Sequence, residues 1–191
     1  PDLALELWDS LFEAGKIHHI MAIGTEALEL ARIEAGFIAA YIDFLPSNVT
    51  VRSGRSRSPF ELGLGWLVDF NKPVFNGRRA LKKEKENGSK WNFVKLDIEG
   101  NKEAHHSYIY ANSKGGENIG FITSAAWSPV CKQNIALGTV LSPHGKVGDK
   151  LYVEIYYQLE MHWSRVMAEA TVVDKPFWDP PRKRATPPNP N

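Results

Sequence analysis

Apolar positions change their spacing twice along this chain. In "PDLALELWDSLFEAG", Leu3, Leu7 and Leu11 recur every four residues, the interval of one helical face. Asp2 is placed to cap that helix and Gly15 to end it. A second helical stretch, "EALELARIEA", has Thr25 as its N-cap, and Gly36 is placed to close it in a left-handed turn. Its predicted apolar stripe is Leu28, Ala31 and Ala35, while Glu29 and Arg32, three apart, can pair on another face. "FIAAYIDF", residues 37–44, is aromatic and branched and predicts a strand. Polar "PSNVTVRSGRSRS" then has nothing to bury and reads as a loop. In the segment that follows, Pro59 suits the first position of a short helical turn. Gly63 and Gly65 suit positive φ or a close backbone approach, "WLVDF" predicts a short strand, and "RRALKKEKENG" predicts a surface helix closed at Asn87-Gly88.

Beyond Gly88 the period falls to two. "NFVKLDIE" puts Val94, Leu96 and Ile98 on one face. "SYIY", "NIGFITS", "NIALGTV", "LYVEIYY" and "WSRVMAEATVV" supply five more strands, separated by "NSKGGE", "SPVCKQ" and "SPHGKVGD", which are turn chemistry. Six short antiparallel strands in about 85 residues predict a small closed barrel or a sandwich. The fold class is therefore α+β. Residues 1–58 form part of an α/β domain, 59–88 a connecting segment and helix, 89–175 a β-barrel, and 176–191 a proline-rich extended tail with a disordered end. Because helix begins at the first residues without an initiator methionine, the chain reads as the C-terminal part of a longer protein.

Composition narrows the class. Apolar residues at 43% and charged residues at 24% are globular proportions. A net charge of +1 gives no field that would draw the protein onto nucleic acid or an acidic membrane. The single Cys131 excludes an internal disulfide framework and suits a reducing compartment; with no apolar span or leader pattern, a cytoplasmic protein is expected.

Chemical motifs are sparse. His18-His19 and His105-His106 are adjacent pairs whose side chains point apart, which suits surface histidines better than one metal site. No metal ligands and no catalytic residue are therefore assigned. Cys131 is a nucleophile or, better supported, a half-buried loop residue, since no basic neighbour is evident to lower its pKa. "GLGW" does not open the strand–turn–helix unit of a dinucleotide site. Arg52, Arg55 and Arg57 could grip the carboxylates of a substrate tail, although composition favours a solvated loop. Arg182, Lys183 and Arg184 lack the aromatic interleaving of a nucleic-acid surface. Aromatics say more: Phe37, Tyr41, Trp66, Trp127 and Phe177 sit beside turns, where flat heterocycles can stack, though ordinary core packing accounts for most such rings.

"RIEAGF", then "SPFELGLGWLVDFNKPVFNGRRAL", "IGFITSAAWSPVCKQNIALGTV", "GDKLYVEI" and "DKPFWDPP", taken in this order, resemble the glycine-cleavage T-protein family, the aminomethyltransferases, over nearly the whole chain. The resemblance implies a three-domain protein with a central tetrahydrofolate channel. This chain would hold the end of the folate-binding domain, the connector and the C-terminal barrel. The catalytic aspartate would lie upstream. It implies a one-carbon transferase using tetrahydrofolate, with a small methyl or aminomethyl donor and, for a true T protein, a lipoyl carrier protein as partner. The cofactor-binding candidates are Phe37, Trp66, Arg32, Glu34, Tyr41 and Trp127, with Trp66 closing one wall and Glu34 and Glu61 as supporting or interdomain partners. Leu28 stands where the family has a folate-binding arginine, and Phe37 stands at a pocket aromatic. With the longer 46–58 loop, these departures look like the family's demethylase branch, which moves a methyl group to tetrahydrofolate. The alternative is a non-catalytic folate-binding regulatory or repair protein of the same fold.

Overall fold

The computed structural model describes residues 2–174 and 176–186. The end of the tail expected to be disordered, residues 187–191, lies outside the described residues, as does Lys175. Three helices, α1 (Ala4–Gly15), α2 (Thr25–Glu34) and α3 (Arg78–Asn87), precede six strands: β1 (Trp91–Ile98), β2 (Tyr108–Tyr110), β3 (Asn118–Ser128), β4 (Gln133–Leu141), β5 (Lys150–Leu159) and β6 (His162–Val173). The strands close into an antiparallel barrel in the order β1-β4-β3-β2-β5-β6. Closure removes the free sheet edges that an open six-stranded sheet would expose.

The predicted alternation fills the barrel. Val94, Leu96 and Ile98 of β1 meet Leu151, Val153 and Ile155 of β5 and Ala168, Ala170 and Val172 of β6 inside it. Strand β4 is buried along nearly its whole length because it is covered on both faces. Ala136 and Val140 face the interior, while Ile135 and Leu137 face outward onto Ile33 of α2, with Phe93, Ala126 and Phe177 around them. That second small core is what holds α2 against the barrel.

Several local expectations are corrected. Residues 37–44 form turns and one isolated bridge, Ala40 with Phe44, and not a strand; a second bridge, Leu45 with Ser56, follows. Tyr41 adopts a positive φ of 69°, which breaks extension, and the segment's one acidic residue is claimed by α2, as described below. Residues 66–70 are likewise not a strand; Gly65–Leu67 is a 3-10 turn. The buried side of α2 carries Ile33 and Glu34, not the stripe Leu28, Ala31 and Ala35; Leu28 is exposed. Asp2 and Thr25 make no side-chain caps, since Leu3 and Gly24 occupy those positions. Gly15 ends α1 in an ordinary helical conformation, and the chain turns left-handed only at His19. Gly15 is small for a different reason: a Cβ there would come 2.5 Å from Ile20 Cγ2. In the tail, Pro181–Arg184 form a 3-10 turn where extension was expected.

Gly36 does what its position predicts. At φ 69°, its N–H donates to Ile33 O (2.8 Å) and the Phe37 N–H donates to Arg32 O (3.1 Å), the paired bonds of a Schellman ending. Truncating Ile33 to alanine should cost about 2–5 kcal/mol, as for a fully buried branched side chain. Hydrogen exchange is the informative readout: amides of α2 should lose protection while those of β5 and β6 keep theirs.

Candidate functional site

At the centre of the junction between helix and barrel lies a buried ion pair. Arg32 leaves the last turn of α2, and its Nη1 donates to Asp43 Oδ2 at 2.7 Å. The Asp43 side chain is 0% exposed and that of Arg32 13%. Each of the five N–H donors of the guanidinium has its own acceptor. Nε donates to Glu29 Oε2 (2.9 Å), Nη1 to Asp43 and to Phe37 O (2.8 Å), and Nη2 to Glu29 Oε1 and to Ser124 Oγ (2.7 Å). Asp43 is equally occupied: Oδ2 also accepts from the Ala39 N–H (2.8 Å), and Oδ1 accepts from the hydroxyls of Thr123 and Ser124.

Those two hydroxyls reach one carboxylate because β3 bulges. Ile122 pairs with Gly138 and Ser124 with Leu137, so Thr123 is an extra residue in the ladder. A bulge lets neighbouring side chains, which normally alternate, turn toward the same side. Thr123 Oγ1 also donates to Leu137 O at 3.1 Å, anchoring the bulge to β4.

A second fastening lies at the end of the same helix. Ser128 Oγ donates to Glu34 Oε1 at 2.6 Å and accepts from the Cys131 N–H at 3.0 Å. Cys131 Sγ donates to Phe177 O (3.3 Å), and the Trp178 N–H donates to Glu34 O (3.0 Å). Glu34 is buried and hydrogen-bonded, and Cys131 is a half-buried packing residue. Glu61 makes no ion pair among the described residues; its carboxylate accepts from the N–H groups of Ser58 (3.1 Å) and Trp91 (3.2 Å), which ties the connector to β1.

Beside this junction a cavity of about 640 Å³ opens between α2 and β3. Glu26, Glu29, Leu30 and Ile33 form one wall, Ala125, Ala126 and Trp127 the other, with Ile42, Glu103 and His105 at its margins. Trp127 is 39% exposed, so part of its ring is available from the cavity. Charge here is acidic. The hydrogen bond from Arg32 holds the Glu29 carboxyl below its ordinary value against the opposing effect of burial, and the charges of Arg32 and His105 act in the same direction. Burial works against the Arg32 charge, but Glu29 and Asp43 outweigh it and raise its pKa. A second cavity of about 430 Å³ is lined in part by Asp43, Arg55, Arg57, Trp91 and Phe121.

Of the six residues singled out in the sequence, Trp127 lines the first cavity, and Arg32 and Glu34 brace its helix from beneath. Phe37, Tyr41 and Trp66 are exposed and line neither cavity. Sequence reasoning missed Asp43, Thr123 and Ser124. Only the acid at the end of an otherwise apolar run hinted at the first of these.

Residues 92–179 match the family description "Glycine cleavage T-protein C-terminal barrel domain". The chain belongs to the glycine cleavage T-protein family. It is 32% identical over 176 residues to an aminomethyltransferase of Caldanaerobacter subterraneus, covering 92% of this chain and 42% of that protein. It is 37% identical over 186 residues to a trimethylamine-oxide aldolase of Ruegeria pomeroyi, covering 96% of this chain and 21% of that one. Its fold superposes on the aminomethyltransferase T of the Bartonella henselae glycine cleavage system with a TM-score of 0.70 at 21% identity, covering 92% of this chain and 44% of that structure. The chain thus spans less than half the length of these family relatives.

Two predictions test the junction. Replacing Asp43 with alanine strands the buried Arg32 charge and should cost about 3–5 kcal/mol in chemical denaturation. Glu29 provides a pH test. Its folded pKa lies below the ordinary 4.5, so its contribution is complete above that value and fades as pH falls through the lower folded pKa. Glu29→Gln should therefore melt at a lower temperature than wild type near neutral pH, and the gap should narrow below about pH 4.5.

Proposed function

We propose that this chain is the folate-facing C-terminal part of a tetrahydrofolate-dependent one-carbon transferase. The observation that carries this reading is the open cleft between α2 and the barrel in a chain of this family. The residues present fit the head of a reduced pterin. Such a ring offers a flat face and an edge of N–H donors. The cleft offers the part-exposed ring of Trp127 and the carboxylates of Glu26, Glu29 and Glu103 as acceptors. A bound reduced folate would supply the nucleophilic nitrogen that takes up the one-carbon unit. The work of this chain is positioning. Trp127 provides a stacking surface, and Arg32, with no donor to spare, sets the Glu29 carboxylate instead of touching the cofactor itself. Glu34 holds the end of α2 in place. Phe37, Tyr41 and Trp66 would meet the cofactor where the upstream half of the protein closes over them. The catalytic group comes from that half, and this chain alone is inactive.

For the donor, similarity to the trimethylamine-oxide aldolase favours a small N-methylated amine over an aminomethyl group delivered on a lipoyl carrier protein. Leu28 supports the same departure, because an apolar side chain cannot replace the guanidinium expected there. A cytoplasmic setting suits the reduced cofactor and the free Cys131.

The test is titration of the complete gene product with 5-methyltetrahydrofolate, followed by isothermal calorimetry. Saturable binding is expected, weakened roughly tenfold by Trp127→Ala, which removes a stacking partner. The 191-residue chain by itself should bind far more weakly. Absence of binding by the complete protein overturns the folate reading, and full affinity in the isolated chain overturns the division of labour.

A further inference from the structure

We propose that the cavity beside Arg57 is a binding site for a small carboxylic acid with an apolar, ring-sized body. The site is distinct from the acidic cleft: Ile42 lines both, but Asp43 lines only this one. The loop that builds it, residues 46–58, carries three arginines, and composition alone makes it a solvated loop. The fold does something else with Arg57. Its guanidinium carbon sits 4.6 Å from the centroid of the Trp91 ring, and that ring meets Phe121 edge-on at 6.4 Å. The stack fixes the plane of the guanidinium.

No carboxylate neutralises it. Among the described residues none comes within 4.0 Å of Arg57, and its only acceptors are backbone carbonyls, Gly54 O (3.3 Å) and Ser56 O (3.1 Å), both bound by Nη1. Nε and Nη2 have no acceptor among the described residues. The two nearby acids are already engaged: Asp43 is tied to Arg32, and Glu61 accepts from the backbone N–H groups of Ser58 and Trp91. Partial burial lowers the Arg57 pKa, with the charge of Glu61 only opposing the shift, as expected for a cation stripped of water without a matched partner. Arg55 lines the same cavity, and Lys90 lies 5.9 Å from the centroid of the Trp91 ring, which adds positive potential.

The shape of the cavity selects the ligand class. One end presents a planar fork of donors, which matches a carboxylate in a two-bond arrangement. Ile42, Phe44, Leu45 and Phe121 supply apolar wall that inorganic phosphate would leave unused, and the one acid in the lining, Asp43, has both oxygens taken up by Arg32, the Ala39 N–H and the hydroxyls of Thr123 and Ser124. A volume of about 430 Å³ has room for one ring and its acid group.

Benzoate, benzyl alcohol and inorganic phosphate are the probes, titrated into the full chain by calorimetry and followed by the indole N–H resonance of Trp91, assigned with Trp91→Phe. Benzoate should bind saturably and shift that resonance, with benzyl alcohol and phosphate at least tenfold weaker. Arg57→Gln should weaken benzoate at least tenfold and leave benzyl alcohol unchanged, and Arg57→Lys should fall between. Arg55→Gln gives a second variant that does not disturb the stack on Trp91, and it should also weaken benzoate. The proposal is overturned if benzoate does not saturate, if phosphate binds as tightly, or if Arg57→Gln weakens both ring compounds equally. No folate enters the experiment, so its outcome is independent of the one-carbon reading.

Discussion

The Arg32–Asp43 pair is the constraint on which the rest of the junction depends. Taking two charges out of water is expensive, and their attraction offsets that cost only when the remaining donors and lone pairs are also satisfied. Here they are, through Glu29 one turn back along α2, a turn carbonyl, a backbone amide and two hydroxyls of a bulged strand. An apolar contact tolerates sliding, whereas five directed donors do not. The pair therefore sets the angle and depth at which α2 meets the barrel, and with them the width of the cleft that α2 and β3 share.

The same pair explains why residues 37–44 bend where their composition calls for extension. With Asp43 drawn under α2, the chain must return on itself. The Ala39 N–H caps the carboxylate, and Tyr41 pairs its N–H with Phe44 O at 2.8 Å. Ile42, carried at the tip of this turn, lines both cavities. One local fold thus partitions the space between helix and barrel.

The barrel was legible because its signal is short-range: alternation along each strand and turn residues between them are enough to mark all six. Gly36 was legible for the same reason, since a left-handed ending needs only local geometry. The junction was not. Thr123 and Ser124 lie 80 and 81 residues from Asp43, and nothing in a strand's alternation announces a bulge. The buried face of α2 was misjudged because Glu34 looks like a surface residue until Ser128, 94 positions away, offers it a hydroxyl. Burial of a polar side chain depends on a partner, and partners are a tertiary property. The family's motifs supplied the folate expectation, which periodicity could not have reached.

A net charge of +1 conceals how the charges are arranged. Glu26, Glu29 and Glu103 collect at the cleft, while Arg55 and Arg57 collect at the second cavity. Arg32 is bonded both to Glu29 of the cleft and to Asp43 of the second cavity's wall, so these acids are taken up by Arg32. Facing the two directly would have let the arginines pair with the glutamates and would have closed both spaces. The buried pair holds this arrangement at the cost of desolvating two charges, and it leaves an acceptor-rich wall on one cavity and the Arg57 donors at the other.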